Sequence, residues 1–135
     1  MKTSKSIIAI TFFSFALCSF TQLYQSKEWV VPESAKIVRN PTNKANKEDL
    51  ATGKTLYSKY CQSCHGKEGY GDGTKAKELK GDLGDFSSEK FQAQTDGALF
   101  YKMTAGRDDM TGFEKKIPDA EDRWLIINFI RTLKK

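Results

Sequence analysis

Five consecutive residues, Cys61-Gln62-Ser63-Cys64-His65, constrain the fold of this chain more than any other feature of its sequence. Two cysteines three positions apart lie about one helical turn from each other, so both thiols can reach the two vinyl groups on one edge of a porphyrin. His65 follows at once and is the only histidine in the chain. This spacing is typical of one covalent c-type haem, attached through Cys61 and Cys64 and ligated by His65. We therefore expect a fold built around one large apolar cofactor.

Cysteine, histidine and glycine motifs of these kinds also occur in three other kinds of site. A thioredoxin-like Cys-x-x-Cys follows a buried strand, but residues 53–60 show no alternating strand pattern. A structural zinc site requires four ligands, and Cys61, Cys64 and His65 provide three unless a second chain contributes. The glycine-rich stretch 66–86 could cradle a phosphate group only between a strand and a long helix, and neither is indicated there.

Residues 1–20 are typical of a signal peptide. Lys2 and Lys5 precede an apolar run, residues 7–17, which is too short to span a bilayer. We expect cleavage near residues 16–19 and an exported, periplasmic protein. A lipidated Cys18, an uncleaved anchor and an N-terminal core helix stay open as alternatives, although Leu17 stands where lipoprotein signals have a small residue. With Cys18 removed and the other two cysteines bound to haem, no structural disulfide is expected.

The rest of the chain divides into an arm, residues 21–46, and a monohaem domain, residues 47–135. The arm contains prolines and polar residues without helical periodicity and is predicted to be extended, although Trp29, Val30 and Val31 favour some packing. The domain is predicted to be all-α. Its periodicity indicates helices that start near Lys47 with Asn46 as the cap, cover Asp96–Thr104, and cover Asp119–Leu133, with a short helical piece near Lys75–Leu79.

The positive charge does not indicate a nucleic-acid partner. The formal net charge of +5 falls to about +3 without the two lysines of the signal, and the remaining lysines are scattered rather than striped. Some of them could surround a haem edge and steer an acidic partner, or simply be solvated: Lys67, Lys75, Lys77, Lys80, Lys90, Lys102, Lys115 and Lys116.

The motifs together resemble the class I cytochrome c family. They run Gly53-x-x-x-Tyr57-x-x-x-Cys61-x-x-Cys64-His65-Gly66-x-x-Gly69-x-Gly71-Asp72-Gly73, then Gly106-x-x-x-Met110-x-x-Phe113, then the segment 124–133. Across residues 47–135 the chain looks most like the small exported bacterial monohaem members, which are free carriers or subunits of respiratory complexes. The resemblance implies three to five helices with crossed terminal helices, a haem exposed at one edge, and histidine and methionine as axial ligands.

The residues alone leave the sixth iron ligand open. With His65 used, Met103, Met110, a lysine, an asparagine or an open site remain. Met103 falls on the apolar side of a helix, where methionine usually fills a core. The family pattern Gly-x-x-x-Met-Pro-x-Phe implies Met110, although Thr111 replaces its proline. Thr74 likewise stands where related sequences have proline, in a loop whose carbonyl is expected to accept the hydrogen of His65 Nδ1.

A six-coordinate iron has no open position for a substrate, so His/Met ligation predicts one-electron transfer. We expect an electron carrier or an electron-transfer subunit rather than an enzyme. Its partners would be redox proteins of a respiratory chain, with a membrane respiratory complex among the candidates, and neither nucleic acid nor a small-molecule substrate is expected. The rival is a haem-based ligand sensor or haem enzyme subunit with a displaceable sixth ligand, for which a loosened Met110 loop would be the motivation.

Overall fold

The computed structural model describes residues 28–135. Across these residues the chain forms helices and no β-strand, which confirms the all-α prediction. No helix of the described part is long and apolar enough to span a membrane. The helices are α1 (Glu33–Lys36), α2 (Lys47–Tyr60), α3 (Gln62–His65), a 3-10 turn (Ala76–Glu78), α4 (Glu89–Gln92), α5 (Asp96–Ala105) and α6 (Ala120–Arg131).

Polar caps start the three long helices. The Asn46 side chain accepts hydrogen bonds from two backbone amides of α2, Thr95 accepts one at the start of α5, and Asp119 accepts one at the start of α6. Each cap satisfies amides that have no partner within the helix. The predicted start at Lys47 with its Asn46 cap is therefore confirmed, and α5 and α6 lie within one or two residues of their predicted bounds.

Helices α2 and α6 cross at Gly53. A side chain at this position would overlap with the backbone carbonyl of Leu125 in α6, so only glycine allows the two backbones to approach this closely. Ile126 of α6 is fully buried at the crossing. The close approach predicted for Gly53 is confirmed.

Tyr57 continues the contact toward the pentad. Its ring is buried, and its hydroxyl donates a 2.7 Å hydrogen bond to the carbonyl of Gly66. Gly66 itself has a φ of 81°, and a side chain there would overlap with Asp72. The turn after His65 is thus held from one side by α2 and from the other by the following loop.

The arm packs against the domain over its described part. Asn40 Nδ2 donates a 2.7 Å hydrogen bond to Asn128 Oδ1, and Asn128 Nδ2 donates one of 2.8 Å to Thr42. Lys44 forms a 2.5 Å ion pair with Asp96 at the start of α5. The short helix α1 was not predicted, because a helix of four residues is too short to show a periodic pattern. The predicted signal peptide 1–20, Cys18 and the first residues of the arm lie outside the described residues.

Candidate functional site

The pentad lies where α2 ends and α3 begins. The chain turns at Cys61, whose carbonyl accepts hydrogen bonds from the amides of Cys64 at 3.1 Å and His65 at 2.9 Å. Both cysteines are free thiols, Cys61 buried and Cys64 half-buried. This tight turn brings both thiols and the His65 ring to the lining of one cavity.

That cavity has a volume of about 510 Å³. Pockets of roughly 300–1,000 Å³ commonly hold a drug-sized ligand or a cofactor. Its walls come from the end of α2, the pentad, α4, α5, α6 and the loops between α3 and α4 and after α5. Apolar side chains dominate them, among them Phe86, Leu99, Met103, Phe113, Ile127 and Ile130.

His65 is buried, at 9% exposure, and its ring stacks on Phe86 with centroids 4.4 Å apart. Burial lowers the pKa of His65, and the backbone of Leu83 partly opposes this effect. The ring is therefore neutral at pH 7, as an iron ligand must be.

Among the described residues, no carbonyl near Thr74 accepts the predicted hydrogen bond from the buried His65 Nδ1. The end of the glycine run and the residue Lys75 just after it donate backbone amides to the pentad instead. Gly73 N–H donates to the Cys64 carbonyl at 3.1 Å and Lys75 N–H donates to the Ser63 carbonyl at 2.8 Å. The backbone that acts on the ring belongs to Leu83, further along the loop.

Met110 and Met103 both line the cavity. Met103 lies on α5 at 5% exposure within the apolar core. Met110 is half-buried and ends a tight turn that starts at Arg107, with reciprocal backbone hydrogen bonds of 2.8 and 2.9 Å between the two residues. The structure thus places both candidate sulfur ligands beside the cavity that holds His65.

Several of the lining residues were not predicted from the sequence, and Trp29 is one of them. Trp29 of the arm contributes to the cavity wall. The cost of leaving Trp29 in water indicated that the arm packs somewhere, but nothing in the local sequence says where.

The lysines predicted to surround the site divide into two groups. Lys75, Lys102 and Lys116 do line the cavity, and Lys59, which was not among them, also does. The other five predicted lysines are not part of its lining.

The residues present fit a covalently attached haem. Two free thiols, a buried neutral imidazole and an apolar cavity of suitable size lie together. Burial, with a smaller contribution from Cys64, raises the pKa of the Cys61 thiol to about 12. A thiol kept protonated at neutral pH is a poor nucleophile, which disfavours disulfide exchange at this site. Within residues 28–135 no three histidine, cysteine, aspartate or glutamate side chains gather as a metal cluster.

Comparison with known families assigns the fold and its cofactor class. Residues 48–130 match the family profile described as cytochrome c oxidase, cbb3-type, subunit III. The chain belongs to this family of class I c-type cytochromes. Membership establishes haem-based electron transfer as the general activity of the domain and haem c as its cofactor class.

Two solved structures are similar to this cytochrome. A chain of the Kuenenia stuttgartiensis reducing HAO-like protein complex Kustc0457/Kustc0458 is 26% identical, with a TM-score of 0.60 over 73% of this chain. This chain spans 50% of the length of that one. The KustC0563 c-type cytochrome has the same fold, with 24% identity, a TM-score of 0.53, and coverage of 62% of this chain and 98% of the other. No curated protein matches by sequence.

Proposed function

We propose that this cytochrome carries single electrons between redox proteins through one haem c that is attached to Cys61 and Cys64 and ligated by His65 and Met110. The observation that supports this most is the shared cavity: both thiols, the His65 ring and the Met110 side chain line the same apolar space. The proposal makes the protein a carrier or an electron-transfer subunit rather than an enzyme.

Met110 suits the role of sixth ligand better than Met103. Met103 is part of a helix, and its burial in the core gives its side chain the packing role that methionine usually has there. Met110 is on a loop with a fixed backbone, so its side chain can extend into the cavity without moving a helix. A thioether ligand stabilises ferrous iron relative to a second nitrogen ligand.

When bound, haem c supplies an iron that alternates between the ferric and ferrous states. The residues of the chain would limit the structural rearrangement around the iron when it gains or loses an electron. Tyr57 fixes the turn after His65 through its bond to Gly66, and Phe86 holds the plane of the imidazole ring. The apolar walls exclude water, which disfavours the more highly charged ferric site.

The proposed setting is an exported protein of a respiratory chain. The features that support it are the signal-like residues 1–20 and the lysines at the cavity, which could meet an acidic partner. The similar Kuenenia chain belongs, by its title, to a protein complex, so a complex subunit and a free carrier are both compatible with the proposal. The mass of the mature protein would report the cleavage site and whether Cys18 is lipidated.

Absorption spectra of the haem-loaded ferric protein test the ligand assignment. We expect a far-red methionine-to-iron charge-transfer band in the wild type and in Met103→Ala, and its loss in Met110→Ala. Met103→Ala is the matched control, because it removes the same side chain from the same cavity. Loss of the band in Met103→Ala alone would contradict the assignment. Absence of the band from the wild type, with rapid carbon monoxide binding to the reduced protein, would favour the ligand sensor or haem enzyme instead.

A further inference from the structure

The described part of the arm, residues 28–46, lies before the family match, which starts at residue 48. Nevertheless Trp29 lines the same cavity as the pentad and Met110. Its neighbour Val30 is 79% exposed, whereas Val31 is buried. The arm therefore packs some of its side chains against the domain and leaves others exposed to solvent.

Two cations of the domain hold the indole ring. The guanidinium carbon of Arg107 lies 4.6 Å from the ring centroid, and Lys102 Nζ lies 5.6 Å from it. Both distances fall within the range of cation–π attraction. Arg107 is also the residue whose backbone pairs with Met110, so the turn that presents Met110 is in contact with the arm.

Fixed contacts further along the arm limit how far Trp29 can move. The bonds of Asn40 and Thr42 to Asn128 and the ion pair of Lys44 with Asp96 tie the arm to α6 and α5. Gly97 of α5 has no side chain, and one added there would overlap with the carbonyl of Ala35. The arm is thus in contact with the domain between Ala35 and Lys44, and Trp29, which precedes this contact in the chain, reaches the cavity.

We propose that Trp29 is a positioning residue of the haem site, which closes the cavity beside the Met110 turn and limits the access of water and external ligands to the iron. The protein would then need its arm for a stable sixth ligand, and the functional unit would begin before the matched domain. This inference rests on the proposed haem function, but it makes a separate prediction about ligand access.

The test is the rate at which imidazole binds to the haem-loaded ferric full-length protein. We compare the wild type with Trp29→Ala, Trp29→Phe and Val30→Ala. We expect Trp29→Ala to bind imidazole about tenfold faster, which corresponds to the loss of two cation–π contacts of ordinary strength. Trp29→Phe should restore most of the slow rate, since it keeps an aromatic ring. Val30→Ala should match the wild type, because it changes an exposed neighbour.

A merely structural role for Trp29 would lower the urea midpoint of Trp29→Ala without changing this rate, and that result would overturn the proposal. So would equal rates in Trp29→Ala and Val30→Ala. The far-red band of the wild type, recorded on the same samples, decides the Met110 assignment separately. If that band is absent, the ratio of imidazole rates still decides whether Trp29 limits access.

Discussion

Replacing Gly53 with alanine changes the free energy of unfolding in two opposite ways. Gly53 lies inside α2, where intrinsic helix propensity favours alanine by about 1 kcal/mol. In the folded chain the new methyl carbon would overlap with the carbonyl oxygen of Leu125 and lie 2.7 Å from its carbonyl carbon. Both contacts are with the backbone, so they can be relieved only if α2 and α6 move apart.

The cost of that separation exceeds the gain in propensity. Overpacking of a core typically costs about 1–3 kcal/mol, and a clash with a helix backbone belongs at the upper end. With a cost of about 3 and a gain of about 1 kcal/mol, we expect Gly53→Ala to lower the free energy of unfolding by about 2 kcal/mol. The fully buried Ile126 and Tyr57 would lose contacts in the same movement.

Urea unfolding of the haem-loaded protein measures this loss. For a denaturant dependence of about 2 kcal/mol/M, the midpoint should fall by about 1 M. Gly81→Ala is the matched control: a methyl group there meets nothing within 4 Å, so this variant should be as stable as the wild type or slightly more stable. A Gly53→Ala protein that unfolds at the wild-type midpoint or above would refute the reasoning that the backbones of α2 and α6 are in close contact at Gly53.

Three further substitutions test the contacts that surround the site. Tyr57→Phe should cost about 1–2 kcal/mol, because the buried carbonyl of Gly66 loses its hydrogen bond; urea unfolding measures it, and an unchanged midpoint would count against that bond. Asn128→Ala should loosen the arm, which limited proteolysis near Asn40 would detect as cleavage faster than in the wild type. For Asp96, burial raises the carboxyl pKa, but its lysine and arginine partners outweigh this and lower it below the usual value. Its stabilisation is therefore present above a pH of about 4 and is lost as pH falls through the lowered pKa, so Asp96→Asn should be less stable than the wild type at pH 7, and the difference should shrink steadily as the pH falls below about 4.

The parts of the fold that the sequence predicts are those with local signals. Asn46 and Asp119 accept hydrogen bonds from amides two or three residues away, so each cap can be recognised from neighbouring letters alone. The pentad is equally local, since one turn of chain brings Cys61, Cys64 and His65 together. The helix starts and the local geometry of the pentad could therefore be predicted from the sequence.

The parts that were not predicted depend on residues far apart in the chain. Asn40 and Asn128 are separated by 88 positions, and neither residue type indicates a buried partner. The position of Trp29 could not be predicted for the same reason, because the other residues that line the cavity lie far from it along the chain. The residues around the His65 ring were not predicted for a different reason. Phe86 and Leu83 belong to a loop without periodicity, so no pattern in the sequence indicates that they approach the ring.

The loop that carries Met110 shows how a departure from the family pattern can be compensated. Thr111 lacks the fixed φ of the proline that the pattern has there. The turn is restrained instead by the paired backbone bonds of Arg107 and Met110 and by Asp108, whose φ of 51° lies in the left-handed region that aspartate tolerates. Asp109 then accepts a 3.1 Å hydrogen bond from the amide of Lys80, in the loop that also contains Leu83. The two loops that approach the cavity are thereby joined to each other, so the position of Met110 depends on contacts between segments rather than on one rigid residue.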